Sequence, residues 1–458
     1  MPTIAPNSLQ ARDIAHFIHP QTNLVEHEEK GPVVITRGNG IYVYDDDGRE
    51  YLEGAAGLWC ASLGFNSERL AKVAYDQLKQ LGFYHSYRHN AHEPGIELAE
   101  RLIKIAPVPM SKVLFQCSGS EANDTAIKLV WYYHHAIGKP EKAKIIGRQM
   151  AYHGSTCTAI SASGKPDMHA DFGLPFAQFR HTLCPHWYRC HEEGESEEAF
   201  ATRLAEALEA LILAEGPETV GGFIAEPVMG AGGAIMPPAT YFDKIQAVLK
   251  KYEILFIADE VICGFARTGN MWGSQTFDLK PDMITCAKAL SAAMQPISAL
   301  LVNDKVYRAM LDESRKLGNF AHGYTYWAHP VAAAVALEVQ KIYEEMDVVG
   351  HARRVGALMQ QGLARLADHP LVGDLRGAGL LAGIDLVADK KTRAMFPAER
   401  DVAGIIGRNL NKHALILRQV GNRIALSPPL IITEAQIDDM LARLKNALDD
   451  TWSEIRAN

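Results

Sequence analysis

Between Glu68 and Val302 the chain alternates stretches of helical period with short, almost wholly apolar runs, and few folds accommodate that rhythm. The runs are Val113–Phe115, Lys144–Ile146, Gly222–Ala225, Ile254–Ala258, Met283–Thr285 and Ile297–Val302. A strand with one wet face alternates polar and apolar side chains, so runs apolar throughout are strands buried on both faces. Helices between such strands are the crossovers that parallel pairing requires. The pattern predicts an α/β fold with a mostly parallel sheet between helices. Outside this region the rhythm changes. The first thirty or so residues look irregular, and Ile41–Tyr44 followed by Asp45-Asp46-Asp47-Gly48 reads as a strand and turn. After Pro330 a long helix over 331–345 leads to a strand near Val372–Gly377, two further strand candidates and a closing helix over 434–448. The expected organisation is an N-terminal segment (1–67) joining a smaller C-terminal α+β domain (330–458), with a large domain (68–329) between them.

With 458 residues the chain can bury a large core. A net charge of −8 and the lack of any Lys/Arg-rich run argue against nucleic-acid partners. No apolar stretch is long enough to cross a bilayer, and the first residues lack the basic-then-apolar pattern of a secretory signal. Seven cysteines, an odd number, fit reduced thiols better than a disulfide framework. A cytoplasmic enzyme is the expectation, with neither membrane nor nucleic acid as partner.

In open α/β sheets ligands gather beyond the carboxyl ends of the strands. Four polar groups follow strand candidates directly: Ser118-Gly119-Ser120, Glu226, Asp259 and Lys288. Ser118-x-x-Glu121 matches a capping box, which by itself marks only a helix start. A glycine between two hydroxyls at that start also makes a phosphate cup, because free N–H groups and the positive dipole end converge there. Lys288 lies in the nearly uncharged Cys286-Ala287-Lys288-Ala289-Leu290. Burial there favours the neutral amine, the form that attacks a carbonyl. Asp259 is equally deep and needs a cation, either a protonated pyridine nitrogen or an Arg or Lys. Tyr152-His153-Gly154 follows another strand, where Tyr152 either stacks on a flat ligand or fills the core.

Read together, these segments resemble the class III aminotransferases, and among them the pyruvate-dependent ω-aminotransferases (amine and β-alanine:pyruvate transaminases). The resemblance runs over nearly the whole chain. It is carried by Ser118–Ala122, Tyr152–Ser155, Gly230–Gly233, Asp259–Gly269, Ala287–Leu290, His322–Thr325 before His329-Pro330, and Leu375–Gly379. It implies pyridoxal 5'-phosphate (PLP) as cofactor, a fold-type-I large domain with a seven-stranded sheet, and a homodimer, or a tetramer of two such dimers, with active sites at the subunit interface. By position Lys288 would be the Schiff-base lysine and Asp259 the partner of the pyridine nitrogen. Gly119 and Ser120, with Ser118 beside them, would hold the phosphate, and Thr325 would reach it from the other subunit. Tyr152, with His153 next to it, would stack on the ring, Val261 would pack on the opposite face, and Glu226 would lie near it. Leu58, Trp59, Tyr87, Tyr152 and Ala231 would line a mostly uncharged substrate pocket, and Arg418 would be the movable arginine that binds a carboxylate. Two features depart from many relatives: Ala289 stands where glycine is common, and Ser291–Pro296 is bulkier than a glycine-containing version.

The implied reaction moves an amino group from a primary amine or ω-amino acid to pyruvate, giving a ketone or aldehyde and alanine. The alternatives are a 2-oxoglutarate-dependent enzyme of the 4-aminobutyrate or ornithine type, or a decarboxylase or aminomutase on the same scaffold. A nicotinamide dehydrogenase is set aside, because Gly377-Ala378-Gly379 precedes an apolar run instead of opening a helix. His181, Cys184, His186, Cys190 and His191 crowd one segment, but their spacing fits no standard zinc pattern, and no metal is expected.

Overall fold

The computed structural model describes residues 4–457. Its centre is a seven-stranded sheet of β4 (Lys112–Gln116), β5 (Lys144–Arg148), β6 (Phe179–Thr182), β7 (Val220–Ala225), β8 (Leu255–Asp259), β9 (Met283–Cys286) and β10 (Ser298–Val302). The spatial order is β4-β10-β9-β8-β7-β5-β6. Strand β10 runs antiparallel to both its neighbours; the other pairings are parallel. Every residue of β7, β8, β9 and β10 is buried, as their unbroken apolar sequence requires. Each of the six predicted runs lies in one of these strands or overlaps it. Strand β6 escaped the sequence reading because Phe-Arg-His-Thr is short and mostly polar, as suits an edge strand paired on one side only.

Three earlier strands, β1 (Ile35–Asn39), β2 (Tyr42–Asp45) and β3 (Glu50–Glu53), form an antiparallel sheet. It is completed by β13 (Leu415–Ile416), which pairs with β3 in parallel. A third sheet joins β11 (Val372–Ala378), β12 (Leu381–Leu386), β14 (Arg418–Val420) and β15 (Arg423–Leu426). The chain's first strands and its last hundred residues are thus hydrogen-bonded to one another. The helix Pro330–Glu345 starts with proline at its first turn and buries Val331, Val335 and Val339, one stripe at spacing four, against the helices Glu68–Leu81 and Glu93–Ile105. The latter buries Leu98 and Leu102 completely, each contributing about 2 kcal/mol by transfer from water.

Two observations correct the sequence reading. The described part of the first thirty residues is not irregular throughout: it holds helices α1 (Leu9–His16) and α2 (Leu24–Lys30), capped by Ser8 and Asn23. Neither helix buries a residue, so no apolar stripe marked them in the sequence. The closing helix runs from Glu434 to Ala457, past the expected end at Leu448.

Candidate active site

A cavity of about 380 Å³ opens where β4, β5, β7, β8 and β9 end. Asp259 is the last residue of β8, Glu226 follows β7, and Lys288 stands two residues beyond β9. Because β4 is parallel to β9 through the intervening antiparallel β10, Ser118 comes off the same rim. Ser118, Gly119, Ser120, Tyr152, His153, Glu226, Asp259, Val261 and Lys288 all line this one cavity.

The helix Gly119–Ala136 begins at its floor. Ser118 Oγ accepts the Glu121 N–H at 3.2 Å, while the Glu121 carboxylate accepts the Cys117 N–H at 2.7 Å. Ser120 Oγ accepts from the Ser155 N–H at 3.0 Å. Among the described residues no acceptor takes the N–H of Gly119 or Ser120, so the dipole end and two donors are free for an anion. Close approach explains both glycines. A Cβ on Gly119 would stand 3.0 Å from Val261 Cγ1, and one on Gly154 (φ +139°) would stand 2.5 Å from Ser120 Oγ.

Asp259 has no arginine or lysine partner among the described residues. Its Oδ2 accepts from Asn123 Nδ2 at 2.9 Å and lies 2.7 Å from His153 Nδ1, and its Oδ1 accepts the Val261 N–H at 3.1 Å. His153 therefore serves Asp259: it is buried behind it, with its backbone N–H on Ser163 Oγ. Asn123 was not read from the sequence. Its signal was an asparagine, a poor helix former, on the buried face of a helix beside Ala122 and Ala126. Asn123 Oδ1 also accepts from Thr285 Oγ1 at 2.7 Å, which ties the helix to β9.

Lys288 is partly buried and its backbone takes a left-handed φ of 49°, a conformation costly for a side chain and frequent at functional sites. Desolvation pulls the amine's pKa down from its usual value, with the Asp259 carboxylate opposing. Burial likewise raises the pKa of Glu226, whose carboxyl accepts the Tyr152 N–H at 3.1 Å and the Gly230 N–H at 2.9 Å. Glu226 thus sets the Tyr152 and Gly230 loops around the cavity.

Trp59 reaches the site from the N-terminal segment. Its ring centroid lies 6.0 Å from Lys288 Nζ and 6.0 Å from Arg418 Cζ, making it the common neighbour of both side chains. Arg418 Nε is buried with no acceptor among the described residues. Of the predicted pocket residues, Leu58, Trp59, Tyr87, Ala231, Thr325 and Arg418 do not line the cavity of the single chain. Leu58, Tyr87 and Thr325 are exposed. Gln295 and Pro296, from the bulkier segment noted after Lys288, line it, and Cys60, Cys117 and Ile297 do so unforeseen; residues 295–297 lead into β10, whose reversed direction no periodicity reveals. Ala292 and Ala293 take φ of 51° and 66°, the conformation glycine adopts freely, so the bulkier segment after Lys288 keeps a backbone suited to glycine. In the His/Cys segment the two thiols of Cys184 and Cys190 stay together, while His181 meets the Ser161 carbonyl, His186 meets Asp385, and His191 stacks on Trp187.

The fit to known proteins is extensive. Residues 24–448 match the family model "Aminotransferase class-III". The chain belongs to the class III aminotransferases, which use PLP. It is 46% identical to "Gamma aminobutyrate transaminase 3, chloroplastic" of Solanum lycopersicum, over 99% of this chain and 88% of that protein. The ω-transaminase of Pseudomonas jessenii in complex with PMP superposes with a TM-score of 0.97 at 51% identity, covering 98% of this chain and 99% of that one. A solved "Transaminase with L-ala" superposes at 0.91 and 51% identity, covering 92% and 100%. As a class III aminotransferase, the protein acts on small-molecule amines and oxo acids.

Proposed function

We propose that this aminotransferase moves an amino group from a primary amine or ω-amino acid to pyruvate, forming alanine, and that it works as a homodimer. The carrying observation is Arg418 beside Trp59: one guanidinium, with a buried N–H lacking an acceptor, next to the aromatic that neighbours the reactive lysine. A planar fork of donors suits a carboxylate, and among the described residues no arginine lines the cavity itself, so Arg418, beyond Trp59, would have to reach in. One carboxylate-binding group favours a monocarboxylate such as pyruvate. The likeness to ω-transaminases and to a transaminase with L-alanine supports this acceptor.

The residues present fit PLP. The free N–H groups of Gly119 and Ser120 would hold its phosphate, Tyr152 and Val261 would flank its ring, and Asp259, oriented by Asn123 and His153, would hold the ring nitrogen protonated. When bound, PLP supplies a carbonyl for the amine and an electron sink for the bond that breaks. Lys288 would be the residue that holds that carbonyl. Its neutral amine would act as base and then as acid, taking the proton from the donor's α-carbon and returning it to the cofactor. Trp59 shields this proton transfer from water, and Arg418 orients the acceptor's carboxylate. Thr325, exposed in the single chain, would meet the phosphate of a partner subunit.

A second reading is a 2-oxoglutarate-dependent enzyme of the 4-aminobutyrate type; relatives named as gamma-aminobutyrate transaminases match its donor, an ω-amino acid that the first reading also admits. Supplying one donor with each acceptor in turn and quantifying alanine against glutamate separates the two. Alanine formation at least tenfold faster is the expected result. Dominant glutamate formation would overturn the pyruvate reading, and absence of both products would point to the decarboxylase or aminomutase.

A further inference from the structure

Far from the cavity in sequence, α1, the turn after it and α2 bring together three side chains with no part in transamination. His19 Nε2 lies 2.9 Å from Asp13 Oδ1 and 3.0 Å from Oδ2, and His27 Nε2 lies 2.9 Å from Asp13 Oδ2. One atom from each residue falls within 4.8 Å of the other two. The imidazole rings sit 4.2 Å apart, inclined by 32°. The site is sheltered, with side-chain exposures of 9% for His27, 17% for Asp13 and 26% for His19.

We propose that Asp13, His19 and His27 form a three-ligand Zn²⁺ site that clips α1 to α2. Two imidazoles and a carboxylate are the nitrogen–oxygen set that zinc takes, leaving the fourth tetrahedral position to water. Bonds of about 2.0–2.1 Å around a tetrahedral ion put ligand atoms roughly 3.3 Å apart. The observed nitrogen–oxygen separations need to open by only a few tenths of an ångström, which side-chain torsions supply. The ligands are already held by the backbone: Asp13 sits within α1 under the Ser8 cap, and His27 within α2 under the Asn23 cap. The site also answers a structural need. These helices have 8 and 7 residues and bury no side chain, whereas isolated helices shorter than about 12–15 residues are marginal in water. An ion that binds only the assembled arrangement stabilises it by mass action.

The competing account is that Asp13 merely accepts a hydrogen bond from each imidazole. Equilibrium dialysis of the tag-free, PLP-loaded enzyme against Zn²⁺ decides between them, with Mg²⁺ as the oxygen-preferring control. One equivalent of Zn²⁺ is expected to bind the wild-type chain. Affinity at that site should drop at least tenfold in His27→Gln and in Asp13→Asn, and stay unchanged in His16→Gln, a neighbouring histidine outside the cluster. Co²⁺ substituted into the wild type should give the visible absorption of a tetrahedral ion, lost in His27→Gln. Transamination should persist in all three variants, since none touches the cavity. Equal Zn²⁺ binding by wild type and both cluster variants would mean an adventitious ion only, and no binding at all would leave the hydrogen-bonded account standing; either result overturns the site.

Discussion

Lys288 and Glu53 are both driven toward their neutral forms by burial, with different consequences. For Lys288 the neutral amine is the chemically competent state. Lys288→Ala should therefore cut kcat at least about a hundredfold while leaving the fold intact by circular dichroism; unchanged amine turnover would refute the assignment. Glu53, at the end of β3, is 3% exposed, with Oε2 accepting the Gly57 N–H and Oε1 without a partner. Desolvation pushes its pKa up to about 7 from an ordinary value of 4.5. Its stabilising contribution is complete below the unfolded value. As pH rises from about 4.5 to about 7 the unfolded chain releases a proton that the folded chain keeps, so stability falls, by on the order of 3 kcal/mol across the window, and levels off above it. Glu260, also raised to about 7 by burial while accepting from the Gly273 and Ser274 N–H groups, adds a loss of the same sign. Denaturant unfolding between pH 5 and 8 should show Glu53→Gln with a shallower decline than wild type. Identical slopes would mean that Glu53 is already ionised in the folded protein at pH 5.

At the scale of elements, the helix Gly119–Ala136 and the loop after β5 are set against each other by contact closer than any side chain allows. Gly154→Ala would drive a methyl into Ser120, whose Cα lies 2.7 Å and Oγ 2.5 Å from the added carbon, at the helix start offered to the phosphate. Gly138→Ala is the matched control: its φ is also positive, +73°, but nothing lies within 4 Å, so it should cost roughly 1 kcal/mol of stability through the backbone alone. Gly154→Ala is expected to lose PLP on dialysis at least tenfold faster than Gly138→Ala, measured by cofactor absorbance; equal retention would sink the contact argument. The same elements show what a sequence discloses. The rim was legible because four polar residues interrupt apolar strands at their ends, a local signal. Asn123 and His153 were harder, since their role is to hold Asp259, 136 and 106 residues away in the chain. The approach of Gln295–Ile297 depended on the direction of β10, which rests on pairing with β4 and β9 and leaves no mark on its own residues.

At the scale of the whole molecule, one surface is left with an unusual load of apolar rings. Phe83, Tyr84, Tyr87 and Tyr326 are all exposed. Phe83 meets Tyr326 edge-on at 5.8 Å, and a Cβ on Gly323 would lie 2.6 Å from the Tyr87 hydroxyl, so segments 83–87 and 323–329 form one surface with Thr325 in it. Cys117, which lines the cavity, donates from Sγ to the Tyr326 carbonyl at 3.7 Å. The patch thus lies against the mouth of the site, and contiguous exposed aromatics of this kind mark association surfaces. If a second subunit covers it, as the proposed homodimer requires, a charge placed there is desolvated without a partner on assembly. Tyr326→Glu should then shift sedimentation from dimer toward monomer and reduce turnover in parallel, with activity partly restored as enzyme concentration rises. Loss of turnover in a variant that remains fully dimeric would place the effect of Tyr326 inside the site, and an active monomer would show that one chain completes it alone.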